Sequence, residues 1–85
     1  MGNGKSIIAL TSTYGRDDRS RIVPFLNTGE VISLTRHDLD YVVTEFGVAE
    51  LKHRPRRERA RNLISVAHPR HREELTRSAK KMDLI

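Results

Sequence analysis

Apolar residues fall in two rhythms along this chain. Through residue 45 they come as short continuous runs between polar clusters, and from residue 55 onward they recur every three or four positions. SIIALTST (6–13) is an apolar run ending in hydroxyl residues and predicts a buried strand. YGRDDRSR (14–21) reads as a polar, charged loop. IVPFL (22–26) is apolar, but Pro24 cannot donate to a sheet ladder, so it reads as a connecting or edge segment. NTGE (27–30) predicts a turn, with Gly29 free to take a positive φ. VISLT (31–35) predicts a second strand, RHDLD (36–40) a turn, and YVVTE (41–45) a third strand. In RPRRERARNLISVAH, Ala60, Leu63, Ile64 and Ala67 lie at i, i+3, i+4 and i+7, one apolar helix face with arginines around the rest. Pro55 suits a first helical turn, and His68-Pro69 ends this helix and can open another. HREELTRSAKKM (71–82) continues helically on Leu75, Ala79 and Met82. The pattern is α/β: about three short strands, then two C-terminal helices. Continuous apolar strands imply burial on both sheet faces, as in parallel sheets. Two helices at one end cannot cover both, so the chain reads as part of something larger or as half of a dimer.

At 85 residues the chain is a single domain, and a chain this short buries only about 60–65% of its unfolded surface. It has no cysteine, so no disulfide or thiolate site staples it. No apolar run approaches the ~20 residues that span a bilayer, and the N-terminus lacks a signal-peptide pattern. A cytoplasmic protein without membrane contact is the expectation. The net charge of +5 divides unevenly. Residues 1–51 carry 5 basic and 7 acidic side chains (−2), and residues 52–85 carry 11 and 4 (+7). The second part can attract a polyanion, either nucleic acid or a phosphate-rich cofactor.

Several local groups carry chemistry. GNGKS (2–6) has the tail of a phosphate-binding P-loop, but that loop needs a preceding strand and a following helix, and here a strand follows. His37, Asp38 and Asp40 could serve hydrolysis or bind a metal, but turn chemistry accounts for them. His68 and His71 lie three apart with no third ligand nearby, so no metal site is expected. Arg54, Arg56, Arg57, Arg59 and Arg61 could hold phosphates, but no aromatics interleave them and Glu58 interrupts them, as on a solvated helix face. Nucleic acid is therefore not the expected partner. Glu45 is the strongest candidate. It ends a buried strand just before Gly47, and ligands in open α/β sheets bind beyond the carboxyl ends of strands.

The succession SIIAL-TST, SRIVPFLN-G, DYVVTEFGVAELK, RERAR-LISVAHP and REEL resembles the C-terminal end of the acetyl-CoA hydrolase/transferase family, which includes 4-hydroxybutyrate and succinyl-CoA:acetate CoA-transferases. The resemblance runs from about Gly4 to Leu75. It implies a partial CoA-transferase-like domain of the NagB/RpiA/CoA-transferase type, with residues 1–85 as one C-terminal fragment. It also implies ping-pong exchange through an acyl-glutamyl anhydride and a glutamyl-CoA thioester, with acyl-CoA and a small carboxylate as substrates and no covalently bound cofactor. The attacking glutamate and the glycine-rich oxyanion donor of the family lie upstream, so the fragment is expected to be inactive alone. Glu45 matches the family's VTE-G motif as a supporting carboxylate, not the nucleophile. Ser12, Thr13, Arg16 and Gly47 are the positions the resemblance assigns to CoA binding.

There are departures. Thr11 stands where the family often has proline, and Gly15 where it has a lysine that Arg16 could replace. His53, Arg56 and His71 stand for glycine, leucine and an aromatic, and two of these look like packing positions turned polar. Burying an unpaired charge there would cost several kcal/mol, so exposure is expected. The missing N-terminal part or a second copy is the implied partner. The alternative is a stand-alone module that binds CoA or phosphate, or docks a partner, through the basic C-terminal helices. Neither the acyl group nor transferase against hydrolase is written in this segment.

Overall fold

The computed structural model describes residues 6–25, 31–36 and 38–85. The P-loop-like residues 2–5, the 27–30 turn and His37 lie outside the described residues. The elements are β1 (Ile7–Ala9), β2 (Thr13–Tyr14), β3 (Arg19–Ser20), β4 (Ile22–Val23), β5 (Ile32–Ser33), β6 (Tyr41–Thr44), β7 (Gly47–Glu50), α1 (Arg56–Val66) and α2 (Pro69–Lys81).

The α/β class and the two C-terminal helices stand as expected, and the strands are shorter and more numerous. Two predicted strands, β1 and β6, pair in parallel with Ile8 opposite Val42. The third, β5, does not join them. It pairs in parallel with β4, inside the segment read as a connector, and Pro24 lies just past that ladder where no donor is needed. The charged stretch read as loop folds into the β2–β3 hairpin, because Gly15 (φ 76°) and Asp18 (φ 52°) supply the positive φ values of its tight reversal. The main sheet has the order β1-β6-β7. β7 extends it antiparallel, with Thr44 opposite Gly47.

Alternation decides which face is buried. Val42, Thr44, Ala49 and Leu51 point toward α1 and join Leu63, Ile64 and Val66 in the core, with Ile8 packed against it. Ala60, Leu63, Ile64 and Ala67 are all buried, so the helical period is read correctly. α2 packs on α1 through Leu75 and Ala79. Burial on both sheet faces does not occur. Ile7 and Val48 are 56% and 61% exposed, and Ala9 is exposed, because α1 lies on one side only.

Pro55 sits one residue before α1, at its N-cap, and Pro69 opens α2. His68 caps α2, its Nδ1 accepting the Arg70 amide at 3.1 Å. The three departures from the family pattern carry no buried unpaired charge. His53 and Arg56 are exposed, and His71 is half-buried with Nε2 2.7 Å from the Asp18 carbonyl.

Candidate functional site

β1 and β6 run in parallel, so their carboxyl ends lie at one edge of the sheet. Ser12 follows β1 and Glu45 follows β6. Ser12 is fully buried and holds Glu45 twice: its amide donates to Oε1 at 2.9 Å and its hydroxyl to Oε2 at 2.8 Å. The Ser12 carbonyl in turn accepts the Arg21 amide at 2.9 Å, so the residue is fixed from both sides.

The turn carrying Glu45 is also fixed. Glu45 and Phe46 are the two residues between β6 and β7, and Gly47 takes φ 138°, which a residue with a Cβ would rarely adopt. Thr44, buried at the end of β6, donates its hydroxyl to the Val66 carbonyl at 2.7 Å and accepts the Phe46 amide at 3.0 Å. That carbonyl is in the last turn of α1 and has no partner within the helix. The next one, on Ala67, accepts from Arg72 Nε at 2.9 Å. The Arg72 guanidinium lies 5.4 Å from the centre of the Phe46 ring, and His68 meets that ring edge-on at 5.4 Å. The end of α1, the start of α2 and the Glu45 turn thus form one joint.

Glu45 is solvent-exposed, yet its carboxyl is held below its ordinary value of 4.5. Its own backbone amide contributes most, then the Ser12 hydroxyl and the Ser12 amide. Partial desolvation opposes these, and His68 adds a small favourable charge interaction. A carboxylate stabilised this way is a poor nucleophile and a weak base. It suits orienting a donor or countering positive charge.

Of the residues expected to form the site, Ser12, Glu45 and Gly47 come together. The Ser12 amide and hydroxyl both donate to Glu45 and hold that carboxylate in place. Thr13 is half-buried in β2, its carbonyl accepting from Thr11. Arg16 is exposed at the tip of the β2–β3 hairpin, and no bond among the described residues joins it to Glu45. That tip is tethered to α2 through Asp18, which bridges to Arg70 at 3.5 Å and offers its carbonyl to His71. A cleft between the hairpin and α2 is lined by Tyr14, Arg19, Ser20, Pro24, His71 and Glu74.

Asp38 pairs with Arg36, and Asp40 accepts the Ser6 amide at 3.1 Å, which is turn and strand-start chemistry. No group of three or more His, Cys, Asp or Glu among the described residues could hold a metal, and none of the described helices is long and apolar enough to cross a membrane. Of the arginine run, Arg54 pairs with Glu50 and Glu58, Arg59 with the Arg54 carbonyl, and Arg56, Arg57 and Arg61 face solvent. Sequence reasoning missed Thr44, Phe46 and Arg72. A threonine next to a candidate carboxylate, at an inward position of its strand, was the available signal.

The profile described as "Acetyl-CoA hydrolase/transferase C-terminal domain" matches residues 1–79. The 4-hydroxybutyrate coenzyme A transferase of Clostridium kluyveri is 53% identical over 78 residues, covering 92% of this chain and 18% of that protein. The succinyl-CoA:cyclohexane-1-carboxylate CoA transferase of Geobacter metallireducens is 49% identical over 82 residues, covering 96% and 19%. The crystal structure of RipA from Yersinia pestis superposes with a TM-score of 0.80 at 46% identity, again over 96% of this chain and 19% of that one. The chain spans about a fifth of the length of the curated relatives it matches.

Proposed function

We propose that this chain, which belongs to the acetyl-CoA hydrolase/transferase C-terminal domain family, supplies the supporting carboxylate of a site that moves CoA between an acyl-CoA and a small carboxylate. The observation that carries this reading is the double hold of Ser12 on Glu45 at the carboxyl ends of two parallel strands.

In this reading a glutamate outside the 85 residues attacks the thioester carbonyl. Collapse of the tetrahedral adduct expels CoA thiolate and leaves an acyl-glutamyl anhydride. The thiolate then attacks the glutamyl carbonyl, releasing the first carboxylate and forming glutamyl-CoA. A second carboxylate reverses both steps, so no water is consumed and no net proton moves. Glu45 stays ionised throughout and orients its neighbours, with Gly47 supplying the positive φ that closes its turn. The setting is cytoplasmic, with acyl-CoA and a small carboxylate as substrates and no resident cofactor.

The test is a titration of the isotope-labelled chain with CoA, read by backbone amide shifts. Saturable shifts at Ser12–Arg16 and Thr44–Gly47 support the reading. The chain alone should not turn over acyl-CoA with acetate. Turnover abolished by Glu45→Gln would overturn the assignment of the nucleophile elsewhere. A second reading, a module that binds CoA or phosphate through its basic helices, draws on the exposed Arg56, Arg57 and Arg61 of α1. It predicts shifts confined to residues 54–61 that salt abolishes.

A further inference from the structure

Two histidines stand where α2 begins, and their hydrogen bonds respond differently to a proton. His68 caps α2, its Nδ1 accepting the Arg70 amide at 3.1 Å. An accepting nitrogen carries a lone pair, so the neutral ring keeps its proton on Nε2. His71 Nε2 lies 2.7 Å from the Asp18 carbonyl, which can only accept, so that nitrogen donates. Protonating His71 leaves its bond intact. Protonating His68 turns Nδ1 into a donor facing a donor, and the cap breaks.

The Arg70 amide depends on this cap. Pro69 has no amide, and the His71 amide already donates to the His68 carbonyl at 2.9 Å. An imidazolium here would also sit at the positive end of α2. Around it lie Arg70, Arg72 and His71 of α2, the His71 ring 6.3 Å away between centres. The hairpin brings Asp18, and the β6–β7 turn brings Glu45. Asp18 is already bridged to Arg70 at 3.5 Å. Glu45 is held by neutral donors, the Ser12 amide and hydroxyl and its own amide, and it attracts the His68 charge. The ring touches that turn as well. It meets Phe46 with centres 5.4 Å and planes 87° apart, and Phe46 follows Glu45 directly.

We infer that His68 is a positioning residue of the Glu45 site that responds to pH: neutral, it caps α2 and packs on Phe46; protonated, it releases the Arg70 amide and pairs with the Glu45 carboxylate. The proton comes from solvent, one N–H···N bond is lost and one ion pair forms. With His68 neutral the carboxylate is free to orient a donor or a cation in the site. With His68 charged it is occupied by the chain's own cation. The consequence rests on the reading of Glu45 as a supporting carboxylate, but the test uses no CoA, so the two fail separately.

The test follows the ring nitrogens of the isotope-labelled chain from about pH 8 to about pH 5, the range in which histidine ordinarily changes charge. At the upper end His68 Nδ1 should be bare and Nε2 protonated. As His68 takes up its proton, the Arg70 amide should lose at least about threefold in protection against exchange. The Phe46 amide and the Glu45 carboxyl carbon should shift with the same midpoint. Glu45 itself titrates below 4.5 and stays ionised over this range, so a step in its signal reports the histidine. His68→Asn keeps a capping side chain without the titration and should abolish the step, whereas His71→Gln should leave it. A proton on His68 Nδ1 at the upper end would overturn the inference. So would an Arg70 amide indifferent to the His68 transition, or a step at Glu45 that survives His68→Asn. The first two outcomes need no variant, so they decide even where His68→Asn does not fold.

Discussion

Replacing Thr44 by valine keeps the shape of a buried side chain and removes one hydroxyl. That hydroxyl donates to the Val66 carbonyl at 2.7 Å and accepts the Phe46 amide at 3.0 Å. Thr44 is 7% exposed and Val66 2%, so the carbonyl would be left without water and without a helical partner. An unsatisfied buried acceptor costs about 1–3 kcal/mol. The Phe46 amide lies in an exposed turn where water can replace the hydroxyl, so it adds little. The expected loss is about 2 kcal/mol, a large share of the total for a chain of this size, which is on the order of 5 kcal/mol. With a urea slope of about 1 kcal/mol/M, the midpoint should fall by about 2 M. Thr44→Ser supplies the control: it keeps the hydroxyl and loses a methyl, at about 1 kcal/mol. Urea melts followed by circular dichroism compare the three proteins. A valine variant within 0.5 kcal/mol of the parent, or a serine variant more damaged than the valine one, would refute the claim that the helix end is capped from the sheet.

The hold on Glu45 has a pH signature. Its folded carboxyl titrates below 4.5, so the unfolded state binds the proton first as pH falls, and the stability Glu45 contributes is present above 4.5 and lost below it. In Ser12→Ala the carbon-13 titration midpoint of Glu45 should rise toward its ordinary value, and an unchanged midpoint would remove Ser12 from the account. His53 sits at φ 61°, a left-handed conformation that disfavours side chains. His53→Gly should stabilise the chain by about 0.5–1 kcal/mol after the entropy of glycine is counted, measured by thermal melts. Arg72→Ala uncaps the Ala67 carbonyl and should cost about 1 kcal/mol in the urea midpoint, with Arg72→Lys restoring little because a single ammonium cannot also lie flat on Phe46.

The helices were legible because their signals are local: a 3.6-residue period, and a proline that stops one helix and starts the next. The strands β1 and β6 were legible as apolar runs. Their pairing was not, since the partner of β6 could equally have been the run at 31–35, and a two-residue strand such as β5 has no period to read. β7 escaped because GVAE has only Val48 and Ala49 to alternate, and Val48 faces outward. The β2–β3 hairpin escaped because its apolar content is a single tyrosine and its reversal depends on Asp18 taking a positive φ. For the site, Glu45 could be singled out from its strand-end position. Ser12 could be listed nearby, but its role could not be read, since the bond that defines it joins residues 33 apart.

The groups that fix Glu45 all lie within this chain: Ser12 across the strand ends, Thr44 on the helix end, Gly47 in the turn and Arg72 over Phe46. The outer face of the sheet, where Val48 is 61% exposed, alternates away from α1 and holds none of these groups. A change there should therefore leave the carboxylate alone: Val48→Lys should keep the Glu45 titration midpoint where it is, whereas Ser12→Ala should raise it. If Val48→Lys moved the midpoint as far as Ser12→Ala does, the sheet would be transmitting strain between its faces, and these contacts would not by themselves set the carboxylate.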